Sequence, residues 1–144
     1  MSNPSKETGT KAETKVKNWF IDHGFRCERK ALAGKDDEGD LRLFIGEAEV
    51  TIEVKAGKQT WNYNRYKLNE WKEETLEEGV NSGCNAILVV IRHRRKFVDT
   101  EVWIPQYMVA PWNVGGRHTM HHDGWEIMYI DDFTKLATYA TRVP

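Results

Sequence analysis

Residues 40–55, DLRLFIGEAEVTIEVK, read as two strands, 40–45 and 48–56, with a break at Gly46. In the second strand Val50, Ile52 and Val54 alternate with Thr51, Glu53 and Lys55. That period of two sends successive side chains to opposite faces of a sheet. Glu53 and Lys55 therefore project together while Val54 turns to the core. Asp40 opens the first strand, so pairing the two as a hairpin brings it near the Glu53 end.

Upstream of this hairpin, residues 1–9 read as a flexible leader and 10–23 as a helix. Ala12, Val16, Trp19, Phe20 and His23 make one apolar stripe of helical period. Thr10 and Glu13 have capping-box spacing, and Gly24 stands where a helix ends. Residues 25–33 read as extended and 34–39 as a polar turn. Downstream, 57–64 is a loop and 65–79 a helix with Leu68, Trp71, Thr75 and Leu76 on its inner face. Residues 86–91, AILVVI, are uninterruptedly apolar, as in a central strand covered on both sides. A basic turn, 92–96, leads into an antiparallel return over 97–104. Residues 125–130 read as a strand and 131–140 as a terminal helix. The order α-β-β-β-α-β-β predicts an α/β or mixed α+β fold, a central mixed sheet flanked by helices. One domain spans 1–144, with 105–130 as a loop-rich insertion and no internal repeat.

A chain of 144 residues buries roughly two-thirds of its unfolded surface without a disulfide or structural metal. With 40% hydrophobic and 30% charged residues it is too apolar for a disordered tail and too polar for a membrane protein. It carries no signal-peptide pattern, and Cys27 and Cys84 lack metal or redox spacing. A cytoplasmic location is expected, in a reducing compartment. The net charge of −1 conceals an uneven distribution. Residues 36–53 and 73–78 hold half of the 22 acids, and elsewhere bases outnumber acids almost two to one. An acidic centre in a basic frame suits a protein that holds a polyanion around cations. The second block also reads as the solvated face of a helix.

Two carboxylates converging at one point, Asp40 and Glu53, repel each other unless a divalent cation lies between them. Oxygen ligands without neighbouring Cys or His favour Mg²⁺, with Mn²⁺ substituting. A metal so held, with the Lys55 amine beside it, suits phosphodiester hydrolysis. The competing reading is an ordinary half-buried strand whose Glu53 and Lys55 are solvated charges.

Gly39-Asp40…Glu53-Val54-Lys55 resembles the core of the PD-(D/E)XK nucleases. The preceding helix with Glu13, and residues 28–34 leading into Gly39-Asp40, resemble the Holliday junction resolvases of archaea and phages; the likeness covers about residues 9–95. It implies a restriction-endonuclease-like core in which Asp40 and Glu53 are metal ligands, Lys55 is the catalytic lysine and Glu13 is an auxiliary acid. It also implies a homodimer acting on opposed strands of a four-way junction, and a possible phage source acting in the host cytoplasm. Residues 105–130 are longer and richer in His and Trp than that pattern.

Glu13 has two readings from spacing, a capping-box partner of Thr10 or an acid at the edge of the apolar stripe that reaches toward the site. Candidate DNA contacts are Lys11, Lys15, Arg29, Lys30, Lys58, Gln59, Arg65 and Lys67. Trp61 and Tyr66, in the loop and helix start after Lys55, suit either stacking on bases or anchoring to the core. Gln59 and Tyr63 match a QxxxY spacing of exonuclease branches but lie too close to Lys55 for it. Residues 92–96 are a DNA contact or a solvated hairpin tip. His118, His121, His122 and Asp123 fit no common zinc spacing and read as a glycine-flanked loop. These features favour a Mg²⁺-dependent, structure-selective DNA endonuclease, a junction resolvase above all. The alternatives are a restriction-type or exonucleolytic nuclease of the same core, and a non-catalytic nucleic-acid-binding module.

Overall fold

The computed structural model describes residues 4–30, 41–109 and 120–142. Helix α1 (Pro4–Asp22) leads into β1 (Arg26–Arg29), β2 (Leu41–Ile45) and β3 (Ala48–Lys55). A 3-10 turn (Lys58–Thr60) and α2 (Arg65–Ser82) carry the chain to β4 (Asn85–Val90). A second 3-10 turn (Phe97–Asp99) precedes β5 (Glu101–Pro105), α3 (Gln106–Val109), β6 (Met120–His122), β7 (Trp125–Tyr129) and α4 (Ile130–Arg142). The strands form one mixed sheet in the order β1-β2-β3-β4-β5-β7-β6. Only the β3–β4 pair is parallel among these, with α2 as its crossover. The mixed α/β architecture with flanking helices is the one expected.

Gly46 supplies the left-handed φ of 64° that the two-residue turn between β2 and β3 requires, and Ile45 pairs with Ala48 beside it. Farther along the hairpin Leu41 stands opposite Ile52. Val50, Ile52 and Val54 face α1 and α4, where Val16, Phe20, Ile87, Val89 and Phe133 close the larger core. Thr51, Glu53 and Lys55 face α2, whose Leu68 and Trp71 pack on Leu88, Val90, Trp103 and Trp125. All of β4 beyond Asn85 is buried, because a helix layer covers each face.

Several boundaries differ from the sequence reading. Helix α1 begins at Pro4, so residues 4–9 are helical and Thr10 is interior and caps nothing. A proline is at home in a first turn, where its missing N–H would have no helical partner. The C-terminal end behaves as read: Gly24 (φ 89°) lets Phe25 N–H donate back to Phe20 O at 2.9 Å, and the two rings meet edge to face. His23 lies outside the stripe, exposed and stacked on Trp19. Helix α2 continues to Ser82, its start capped by Asn64 Oδ1 accepting from Lys67 N–H at 2.8 Å. Leu76 is exposed, and Lys72 takes an inner position between Trp103 and Trp125. Residues 97–99 form a 3-10 turn, so the return strand starts at Glu101. Residues 120–122 are a strand where a loop was expected. Residues 34–40 and His118 lie outside the described residues. No described helix is long and apolar enough to cross a membrane.

Candidate active site at the carboxyl end of β3

Glu53 and Lys55 lie within the last three positions of β3, where the strand is paired with β4: Glu53 stands beside Leu88 and Lys55 beside Val90. Lys55 O accepts from Ile91 N–H at 2.9 Å, extending the parallel β3–β4 ladder beyond Val90. Crevices outside the carboxyl ends of parallel strands are where open α/β sheets hold ligands. Both side chains are mostly covered, at 17% exposure each. Lys55 Nζ lies 3.4 Å from Glu53 Oε1 and 2.6 Å from Glu74 Oε2 on α2. Burial by itself pushes the Lys55 pKa down. The hydrogen bond to Glu74 and the charges of Glu53 and Glu74 outweigh that and raise it above the ordinary lysine value. Lys55 is thus a held cation, suited to neutralising an anion or orienting a water and not to removing a proton.

Glu74 was not singled out in the sequence. It lies in the acidic block read as a solvated helix face, and that reading holds for exposed Glu73 and Glu77. Glu74 stands three residues after buried Trp71, at the margin of the face that α2 presents to the sheet. The only local signal was that margin position.

Glu13 is buried at 8% exposure, and its Oε1 accepts from Arg29 Nη1 at 2.7 Å. Arg29 also donates to Thr10 O at 3.0 Å and to Thr14 Oγ1. The capping alternative for Glu13 is therefore replaced by a bridge from α1 to β1. Arg29, expected as a DNA contact, is engaged in that bridge. Asp40 lies outside the described residues; its neighbour Leu41 is paired with Ile52, the neighbour of Glu53. Among the described residues, no group of three or more His, Cys, Asp or Glu gathers as a metal cage. The structure brings Glu53 and Lys55 together, and pairs Glu13 with Arg29.

The expected basic contacts are spread around this end and along α1. Lys11, Lys15, Lys58 and Arg65 are exposed. Lys30 donates to Ser82 Oγ, Gln59 Nε2 donates to Ala56 O at 3.1 Å, and Lys67 lies 3.7 Å from Glu70. Trp61 and Tyr66 do not anchor the loop to the core; they are 57% and 80% exposed. Tyr63 anchors it instead. Its ring packs on Trp71, and its hydroxyl donates to Glu101 Oε1 at 2.7 Å. Burial and the Glu101 carboxylate push the Tyr63 pKa well up, so it stays a phenol. Thr60 completes the tie: its hydroxyl donates to Ile91 O at 2.9 Å and accepts from His93 N–H at 2.8 Å. The loop after Lys55 is thereby pinned to the basic turn after β4.

No family model and no curated protein matches the chain. Among solved structures it is similar to the Holliday junction resolvase of the archaeal hyperthermophile Archaeoglobus fulgidus, at 15% identity and a TM-score of 0.46. The match covers 94% of this chain and 98% of that one.

Proposed function

We propose that the chain is a Mg²⁺-dependent DNA endonuclease, and that its substrate is branched DNA of the four-way-junction kind. The observation that carries this reading is the Glu53–Lys55 pair, one carboxylate and one held cation 3.4 Å apart at a strand end. Asp40, bonded to the residue paired beside Glu53, supplies the second carboxylate in this reading. The donor chemistry suits a hard cation: both groups are carboxylates, and neither Cys nor His is among them. Glu53 and Asp40 would hold the ion, and Mn²⁺ would replace it. When bound, the ion supplies Lewis-acid polarisation of the phosphate and a lowered pKa for water.

The chain's own groups do the rest. Lys55, kept protonated by Glu74, neutralises charge as it grows on the phosphorus oxygens and orients the attacking water. Glu13 is an auxiliary acid whose place is set by Arg29. Lys11, Lys15, Lys58 and Arg65 meet phosphates, and a second copy of the chain engages the opposed strand.

The test compares a four-way junction with a linear duplex of the same sequence, with and without Mg²⁺. Cleavage is expected with Mg²⁺ only and for the junction first. Lys55→Ala and Asp40→Asn should each lower the rate by at least about a hundredfold while junction binding survives. Binding should weaken steeply with salt as counterions are released. Full cleavage by either variant overturns the assigned roles.

A further inference from the structure

The sheet end that carries Glu53 and Lys55 also carries an indole that the core does not use. Trp61 closes the 3-10 turn and is 57% exposed. Its backbone is held on both sides: its N–H donates to Lys58 O at 3.1 Å, and its carbonyl accepts from Arg92 Nη2 at 3.4 Å. Around its ring stand two cationic or polar groups from the turn after β4. His93 meets it edge-on, centroids 6.1 Å apart at 82°, and the Arg94 guanidinium carbon lies 5.9 Å from its centroid.

Arg94 adds an independent observation. Its φ is 62°, the left-handed region where glycine would sit without strain. A strained arginine at an exposed turn tip puts a guanidinium beside the indole, and such strain concentrates at functional positions. The two segments that hold these groups are basic, and Glu101, which bonds Tyr63 of the loop, is itself paired with Arg92. No acid occurs in residues 54–69 or 90–98, whereas Lys58, Arg65, Arg94, Arg95 and Lys96 are all exposed there. An exposed aromatic face within a basic surface fits a nucleic-acid strand, whose backbone takes the cations and whose bases offer flat faces. Inside a duplex both faces of a base are already covered by its neighbours. A protein ring reaches one only where the stack is interrupted.

We propose that Trp61, framed by His93 and Arg94, is a stacking platform for an unpaired nucleobase beside the cleavage centre. The inference rests on the nuclease reading and deepens it: among branched DNAs, one with an unpaired base at the branch, as at a flap, is held more tightly than one whose bases are all paired.

The test measures binding of the full chain in EDTA, where no cleavage occurs. The probes are a labelled blunt duplex and the same duplex with a single-stranded flap. The wild type should prefer the flap. Trp61→Ala should weaken flap binding about tenfold and blunt binding less than about twofold, whereas Trp61→Phe keeps most of the preference. Arg94→Gly should reduce flap binding with no loss of thermal stability, because it removes the guanidinium and relieves the left-handed strain. Loss of affinity by Trp61→Ala that is equal on both DNAs, or absent, overturns the platform. Wild-type cleavage in Mg²⁺ is read separately. Cleavage without any dependence of binding on Trp61 leaves the nuclease and removes the platform; a Trp61-dependent flap preference without cleavage does the reverse.

Discussion

The Lys55 ammonium on β3 and the Glu74 carboxylate on α2 stand 2.6 Å apart, closer than Lys55 stands to Glu53 on its own strand. Nineteen positions separate the two residues, and the parallel crossover through α2 brings them together. The pair fixes where the lysine points and keeps it charged.

Replacing Glu74 by Gln should therefore act through Lys55. The folded-state pKa of Lys55 is raised, so its pairing contributes fully below the unfolded lysine value and is lost as pH climbs through the folded one. The stability difference between wild type and Glu74→Gln should be flat from neutral pH to about pH 10 and close above that. At neutral pH it should be about 0.5–1.5 kcal/mol, because Glu74 is 41% exposed and solvent screens the pair. Urea unfolding at a series of pH values measures it. A difference that persists unchanged into strong alkali would detach it from the lysine charge.

Glu13 and Arg29 should be energetically coupled. Removing Arg29 leaves a carboxylate that is 11% exposed without its cation, so Arg29→Ala should lose about 1–2 kcal/mol. Glu13→Ala leaves Arg29 37% exposed and bonded to Thr10 and Thr14, and it should lose less. The double-mutant cycle should return a coupling of about 1 kcal/mol. Additive losses would mean that the bridge contributes nothing.

Gly79 lets α2 pass close to the start of β4. A Cβ there would meet Cys84 O at 3.0 Å and Ala86 Cβ at 3.3 Å, both on a fixed strand entry. Alanine's better helix propensity, about 1 kcal/mol, should be more than offset by this crowding. Gly79→Ala is expected to lower stability by about 1 kcal/mol or more in chemical denaturation, and a stabilised variant would show that the helix can move away.

The two cysteines should differ in reactivity. Burial, opposed by Lys17 and aided by Glu28, pushes the Cys27 thiol up to about 12. At pH 8 it has almost no thiolate and should be modified by a thiol reagent only as the protein unfolds. Cys84, partly exposed beside Thr51, should react in the native state. Labelling followed by peptide mapping separates them; rapid native modification of Cys27 would contradict its burial.

The sequence carried what depends on local pattern. The alternation of Val50, Ile52 and Val54 placed Glu53 and Lys55 on one face, and the run 86–91 announced a strand covered on both sides. Gly24 marked the end of α1. These features are legible because side-chain period and turn chemistry are properties of adjacent residues. The partner choices were decided elsewhere. Thr10 and Glu13 spelled a capping box, yet the helix runs past them and Arg29 takes the carboxylate. Trp61 and Tyr66 had the composition of core residues, but Tyr63 alone of the three turns inward. Glu74 was one of four similar acids until α2 was laid on β3. Register, crossover and the order of strands select among groups that look equivalent along the chain, and they arise only when distant segments bury a common apolar surface.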